Sequence, residues 1–262
     1  MKAVLLKESI KKRAREALSR RGLTLQPEMA ADFSPSTVET IEFVRPHTMT
    51  TVERVEAVIS ATEYISRAGI PGAFVESGVW LGGSSMAAAR TLVGLGDTSR
   101  ELYLYDTFEG IPSPGEHDGL IGHDVDIKEL WDSENAGGGA AWLDAPVEKV
   151  RANMVSTGYP SERLHLVPGY VQDTIPATAP SQVAFLRLDT DWYESTKVEL
   201  EVLFPRLSPG GVMIIDDYGF TAGCKKAVDE YFAAYPEPVY LHRIDVCGRL
   251  VLKPGLPSGA PG

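Results

Sequence analysis

From Ala73 onward the chain alternates between short apolar runs and stretches with helical spacing. Ala73–Ser77, Leu102–Asp106, Leu164–Val167, Val183–Leu188 and the run from Gly211 to Ile215 are too short for helices. Each is bounded by turn residues, the pattern of strands buried on both faces. Between them, Gly83–Leu95, Val147–Thr157, Tyr193–Leu207 and Ala222–Ala234 carry helical periodicity. Thr50 or Thr51 can cap an earlier helix through Val52, Val55, Ile59, Thr62 and Ile65 to Gly69. Val239–Ile244 and Arg249–Leu252, joined tightly at Cys247-Gly248, read as a closing hairpin. The fold class is therefore α/β: a mostly parallel seven-stranded sheet with helices on both faces.

The ends of the chain differ from this core. Leu6, Ile10, Ala14 and Leu18 form a helical stripe over Leu5–Arg21, ringed by Lys and Arg and ended by Gly22. That suits a solvated helix packed on the domain or on a second subunit, with a homodimer as the expected assembly. Gln26–Pro46 reads as a polar connector. Glu109–Pro146 is polar and Gly-rich, and so long a connection suggests a lid or binding loop. The expected organisation is an N-terminal helical extension or lid over 1–48, a main domain over 49–253 with a lid insertion at about 109–146, and a loose tail over 254–262.

Composition narrows the class. The chain has 262 residues, with 44% hydrophobic, 23% charged and a net charge of −11. Such acidity argues against nucleic acid or an anionic membrane as partner. There is no apolar run long enough to span a bilayer, and the basic N-terminus has the wrong order for a secretory signal. Cys224 and Cys247 lack metal or redox spacing and fit reduced thiols in a cytoplasmic protein.

The chemistry concentrates at strand ends. Val183-Ala-Phe-Leu-Arg-Leu-Asp-Thr-Asp191 and Gly211-Val-Met-Ile-Ile-Asp-Asp217 both stop abruptly at carboxylates. In open α/β sheets the carboxyl ends of the strands face the ligand. Adjacent strands would gather Asp189, Asp216 and Asp217, with Asp191 slightly beyond. Clustered carboxylates call for a hard divalent cation such as magnesium or calcium. The alternative, N-caps and turn formers, explains each Asp singly but not their doubled occurrence.

Phe74-Val-Glu-Ser-Gly-Val-Trp-Leu-Gly-Gly-Ser-Ser85 joins a buried strand to a small-residue helix start through a Gly-rich turn. It lacks the Lys of a phosphate-binding P-loop and the spacing of a dinucleotide fingerprint. Glu76 suits a cationic group, and Asp106 at the end of the next strand suits two ribose hydroxyls. Together they point to S-adenosylmethionine. Simple tight packing would account for either motif alone.

The stretches GVWLGGSS, LYDTFEGIP, GYVQDTIP, FLRLDTDWYEST and GGVMIIDDYG resemble the macrocin-type O-methyltransferases of antibiotic biosynthesis, over roughly residues 45–252. The resemblance implies a Rossmann-like methyltransferase fold and a magnesium-dependent transfer from S-adenosylmethionine to a small-molecule glycoside. It is nearest the branch acting on the 4-hydroxyl of noviose in novobiocin-type aminocoumarins, with macrolide deoxysugars as the alternative acceptors. It implies Asp189, Asp216 and Asp217 as metal ligands and Asp191 as general base. Met49, Glu76, Gly78, Ser84, Asp106, Thr107, Phe108 and Asp173 would line the cofactor, Phe108 serving equally well as core. Leu81 departs from the Arg expected at that position.

Other features weigh less. His117, Asp118, His123, Asp124 and Asp126 suit a solvated lid better than a second metal site. His165 suits packing better than catalysis, and Trp80, Trp142 and Trp192 are either substrate walls or packing. Thr48-Met49-Thr50 either covers the cofactor or simply starts a helix. A dinucleotide-dependent dehydrogenase is disfavoured by the missing fingerprint, and a non-enzymatic adenosine-binding module would leave Asp191 without a task.

Overall fold

The computed structural model describes residues 29–136 and 143–255. The expected helix over Leu5–Arg21, the Gly137–Gly139 run, Trp142 and the tail beyond Gly255 lie outside the described residues. The chain divides into two compact units, Met1–Val38 and Glu39–Gly262. The sheet and the site belong to the second.

Five strands, β1 (Ala73–Ser77), β2 (Leu102–Asp106), β3 (Leu164–Pro168), β4 (Val183–Leu188) and β5 (Leu207–Ile215), run parallel. Two more, β6 (His242–Arg243) and β7 (Arg249–Leu252), close the sheet in antiparallel fashion, giving the order β3-β2-β1-β4-β5-β7-β6. The chain reverses direction of travel between β1 and β4, and that switch point opens the crevice where a ligand can enter. All six residues of β4 are buried, the reason its run is continuously apolar but for Arg187.

The helices are α1 (Pro35–Val44), α2 (Val52–Arg67), α3 (Gly83–Leu95), α4 (Ile127–Asn135), α5 (Val147–Val155), α6 (Val171–Thr178), α7 (Tyr193–Leu203) and α8 (Ala222–Ala234). Leu186 and Leu188 of β4 and Met213 and Ile215 of β5 pack with Leu200, Leu203 and Val228 of α7 and α8. On the opposite face Phe74 stacks on Phe185 at 5.3 Å, and Glu76 lies in register with Arg187. Burying both sheet faces is what makes a parallel sheet stable.

The structure departs from the sequence reading in five places. The Gln26–Pro46 connector contains α1, in which Pro35 occupies the first position and Ser34 Oγ accepts from the Thr37 N–H at 3.1 Å. Proline is favoured there because its missing N–H would be unbonded anyway. The segment Gly169–Pro176 contains the start of α6, which continues to Thr178. Pro205 ends α7 in a short 3-10 turn, so Leu207 opens β5 rather than closing the helix. The expected strand Val239–Ile244 shrinks to His242–Arg243, because β7 is itself short and this is the outer edge of the sheet.

The described part of the 109–146 insertion is more ordered than a solvated loop. Asp126 caps α4, Trp131 Nε1 donates to the Ile111 carbonyl, and Leu120 forms an antiparallel bridge with Thr221. No helix among the described residues is long and apolar enough to cross a membrane.

Candidate active site

The parallel ladder runs one residue past β4 and β5. The Asp189 N–H donates to Ser77 O and the Asp216 N–H to Leu188 O, both at 2.9 Å. Gly78 permits this: its φ is +78°, and a Cβ there would strike the Asp189 carbonyl. Carboxylate oxygens of Asp189, Asp216 and Asp217 consequently lie within 4.8 Å of one another. Asp217 Oδ2 is buried and has no hydrogen-bond partner among the described residues. Burial and then mutual repulsion push Asp191 and Asp217 well above the usual carboxylate range. Burial, opposed by Arg187, does the same to Asp189. An orphan buried oxygen amid crowded carboxylates is the donor set a divalent cation satisfies.

Two arginines that the sequence reading did not single out complete the cluster. Arg187 Nη1 reaches Glu76 Oε1 at 2.5 Å and Asp189 Oδ2 at 2.7 Å, while Nη2 reaches Asp216 Oδ1 at 2.6 Å. Arg54, from α2, pairs with Asp216 Oδ2 and, at 2.9 Å, with Asp245. The signal for Arg187 was present: a lone cation in an otherwise apolar buried strand needs anionic partners. Arg54 and Asp245 are 191 residues apart, and nothing local links them.

Glu76 turns inward. It is 4% exposed, one oxygen holds Arg187, and the other accepts from the Ser85 N–H at 3.1 Å and the Ser85 hydroxyl. In this structure both Glu76 oxygens are engaged, and the residue ties Arg187 to the start of α3. Ser84, also buried, lines a cavity of about 10 Å³ beside Glu76 and Arg187.

Asp106 sits half-buried at the end of β2 and braces the glycine turn. Its Oδ2 accepts from the N–H groups of Val79 (2.6 Å) and Trp80 (3.0 Å), and its Oδ1 from that of Phe108 (2.8 Å). Thr107 Oγ1 donates to the Gly110 carbonyl at 2.6 Å. Phe108 is 5% exposed with φ +56°, so its ring belongs to the core. The Gly169 N–H donates to Asp106 O, bringing the start of α6 and exposed Asp173 to the same sheet end. A Cβ on Gly83 would lie 2.5 Å from His47 O and 2.6 Å from Thr48 Cβ. The 47–48 segment thus packs on the N-terminus of α3, with Met49 beside it 63% exposed.

Asp191 occupies an unusual backbone. The Trp192 N–H donates to Thr190 O at 2.7 Å across Asp191, whose φ is +64°. This is a γ-turn of the strained, positive-φ kind. Side chains of other residues hold it, and of these only Asp118 is named in the sequence analysis, as part of a solvated lid. Thr221 Oγ1 donates to Asp191 O at 2.7 Å, Thr190 Oγ1 donates to Glu199 Oε1 at 2.9 Å, and Asp118 Oδ1 accepts from the Tyr193 N–H at 2.9 Å. Glu199 is fully buried, and desolvation lifts its pKa to about 8 against contacts from Ser77 and Thr190.

The remaining candidates make packing and capping contacts. His165 stacks on Tyr103 at 4.4 Å and contacts Glu101 at 2.6 Å, half-exposed on the β3 side. Asp118 and Asp126 serve as caps, and among the described residues the only carboxylate, His or Cys group suited to a metal is the Asp189 cluster. Trp192 is buried and donates to Pro112 O at 2.8 Å. Cys224 and Cys247 are free thiols.

Residues 29–251 match the macrocin O-methyltransferase (TylF) family, to which this chain belongs. It is 40% identical over 202 residues (77% of this chain, 74% of the relative) to an 8-demethyl-8-(2,3-dimethoxy-alpha-L-rhamnosyl)-tetracenomycin-C 4'-O-methyltransferase of Streptomyces olivaceus. It is 36% identical over 189 residues (72% and 69%) to a demethyldecarbamoylnovobiocin O-methyltransferase of Streptomyces niveus. The structure of the O-methyltransferase NovP superimposes with a TM-score of 0.70 at 33% identity, covering 80% of this chain and 83% of that one. The sheet is thus the Rossmann-like methyltransferase fold, and the chain is an O-methyltransferase.

Proposed function

We propose that the enzyme transfers the methyl group of S-adenosylmethionine to a sugar hydroxyl of a glycosylated antibiotic, with a divalent cation, magnesium first, as cofactor. The observation that carries this reading is the orphan Asp217 Oδ2 within the Asp189, Asp216 and Asp217 cluster, next to Asp191. Those three carboxylates would hold the ion, which when bound orients two neighbouring sugar oxygens and eases loss of a proton from one.

Asp191 then accepts the proton of the reacting hydroxyl. A carboxylate whose pKa is raised by burial and neighbouring charge is a stronger base than one in water. The acceptor oxygen forms its bond to the methyl carbon as the carbon–sulfur bond breaks, leaving S-adenosylhomocysteine and a protonated Asp191. Asp106, Thr107, Gly78, Asp173 and Met49, with Ser84 behind them, would frame the cofactor, Asp106 facing the ribose. Arg187, Arg54 and Glu76 hold the ligand carboxylates in place before any cation arrives.

The acceptor position proposed is the 4-hydroxyl of a deoxysugar, either noviose on an aminocoumarin or rhamnose on a tetracenomycin-type polyketide. The rhamnosyl relative's name describes a sugar already methylated at its 2 and 3 positions, so an acceptor of that type would present a methoxy oxygen, rather than a second free hydroxyl, beside the reacting one. The test incubates the purified enzyme with labelled S-adenosylmethionine and demethylated glycosides of both types. Methyl transfer that EDTA abolishes and magnesium restores is expected. Asp191→Asn should lower kcat by roughly 10²–10⁴ with cofactor affinity retained. Full turnover in EDTA after exhaustive dialysis, or with Asp191→Asn, would refute the corresponding half of the reading.

A further inference from the structure

Asp191 sits at the centre of a γ-turn with φ +64°, a conformation that a residue with a side chain adopts only when its surroundings impose it. Side-chain contacts around the turn do: Ser195 Oγ donates to Thr190 O at 3.3 Å, Asp118 Oδ1 accepts from the Tyr193 N–H at 2.9 Å, and two more come from further along the chain. Thr190 Oγ1 reaches Glu199 Oε1 on α7 at 2.9 Å, and Asp191 O receives the Thr221 hydroxyl, from the start of α8, at 2.7 Å. Glu199 is completely buried, and its Oε2 has no hydrogen-bond partner among the described residues. Burying a carboxyl so deeply costs stability, and its contacts with Ser77, the last residue of β1, and with Thr190 are the use made of it.

We propose that Glu199, acting through the Thr190 hydroxyl, is a positioning residue that holds Asp191 in its γ-turn and so aims the carboxylate at the acceptor hydroxyl. The inference rests on Asp191 as the general base. Glu199 is completely buried, and no described hydrogen bond joins it to the three ligand carboxylates. What it holds is Thr190, the one residue between Asp189 and Asp191. Loss of the contact should release the base while leaving the cation cluster, held by Arg187 and Arg54, as it is.

Two pairs of variants test this. Thr190→Val removes only the hydroxyl and Thr190→Ser keeps it. Glu199→Leu removes the acceptor, while Glu199→Gln keeps a neutral carbonyl at Oε1. Thr190→Val and Glu199→Leu should each lower kcat by about tenfold or more, since misplacement of a reacting group by an ångström is worth factors of this size. KM for the glycoside, and calorimetric affinities for S-adenosylmethionine and magnesium, should stay within about twofold. Thr190→Ser and Glu199→Gln should retain near-parental kcat. The Thr190→Val/Glu199→Leu double variant should be no worse than Glu199→Leu alone, because the Thr190 contact is already lost in that single variant. Should Glu199→Leu fail to fold, the Thr190 pair decides the question. Parental kcat in Thr190→Val, or a loss in both Val and Ser variants alike, overturns the proposal. Asp191→Asn is run beside them. If it is inactive while Thr190→Val is fully active, the clamp alone is wrong. If Asp191→Asn is itself active, the base assignment falls and takes the clamp with it.

Discussion

Replacing Glu199 with Gln should stabilise the protein, and by an amount that grows with pH. Glu199 is 0% exposed, and burial raises its pKa from 4.5 to about 8. Between those values the folded protein keeps a proton that the unfolded chain has lost. Stability therefore falls as pH rises through this window, at up to about 1.4 kcal/mol per pH unit from this single group. Integrated from pH 4.5 to 8, the loss is on the order of 4–5 kcal/mol, and above pH 8 it stays constant. Gln is the isostere of the protonated acid, keeps an oxygen for the Thr190 hydroxyl, and does not titrate. Near pH 5 the two proteins should match. By pH 8 the variant should lead by several kcal/mol, each worth about 2–4 °C in Tm for a domain of this size. Denaturant unfolding of both proteins at pH 5, 6, 7 and 8 measures this directly. Taking the difference cancels the other carboxylates that titrate in the same range. A difference that stays flat from pH 5 to 8 would show that Glu199 is ionised, or solvated, in the folded state, and would refute the reasoning.

Gly78→Ala should be severely destabilised, because φ is +78° and the new methyl meets the Asp189 backbone, which cannot move without breaking the β1–β4 ladder. Yield of soluble protein and Tm report it, and a parental Tm would contradict it. Asp106→Ala should weaken S-adenosylmethionine binding at least about tenfold, about 1.4 kcal/mol, since it removes a charge-assisted acceptor and unpins the N–H groups of Val79 and Trp80. Unchanged calorimetric affinity would exclude a part for Asp106 in cofactor binding. Arg187→Met should cost about 3–5 kcal/mol by leaving Glu76 and Asp216 as buried charges short of a partner. Adding Glu76→Gln should recover part of the loss, and additive losses in denaturant unfolding would argue against coupling.

Much of this protein is written in local pattern. Parallel strands buried on both faces need unbroken apolar runs, so β1, β2 and β4, and helices α3 and α8, can be bounded from sequence as the structure bounds them. Asp189, Asp216 and Asp217 are legible too, because a carboxylate directly after such a run must lie at the ligand-facing end of the sheet. Short helices were harder. Pro35 lies in a stretch that reads as a polar connector yet begins α1, and Pro176 lies inside α6, a helix that no apolar periodicity announces. The 109–146 insertion looked like open loop because its order comes from contacts with α7 and α8, not from its own periodicity.

What only the tertiary structure decided is how the site is held. Sequence places Glu76 near the end of a buried strand, but does not determine whether it faces a ligand or a neighbour. Register with Arg187 on β4 makes it an internal partner. Sequence likewise places Asp191 after β4, while the γ-turn that aims it depends on Thr221 and Glu199, 30 residues beyond it and 9 beyond Thr190. Hydrophobic periodicity is a property of neighbours along the chain, whereas a buried charge is neutralised by whichever element the packing brings alongside. The identity of the site's carboxylates therefore belongs to the sequence, and their partners to the fold.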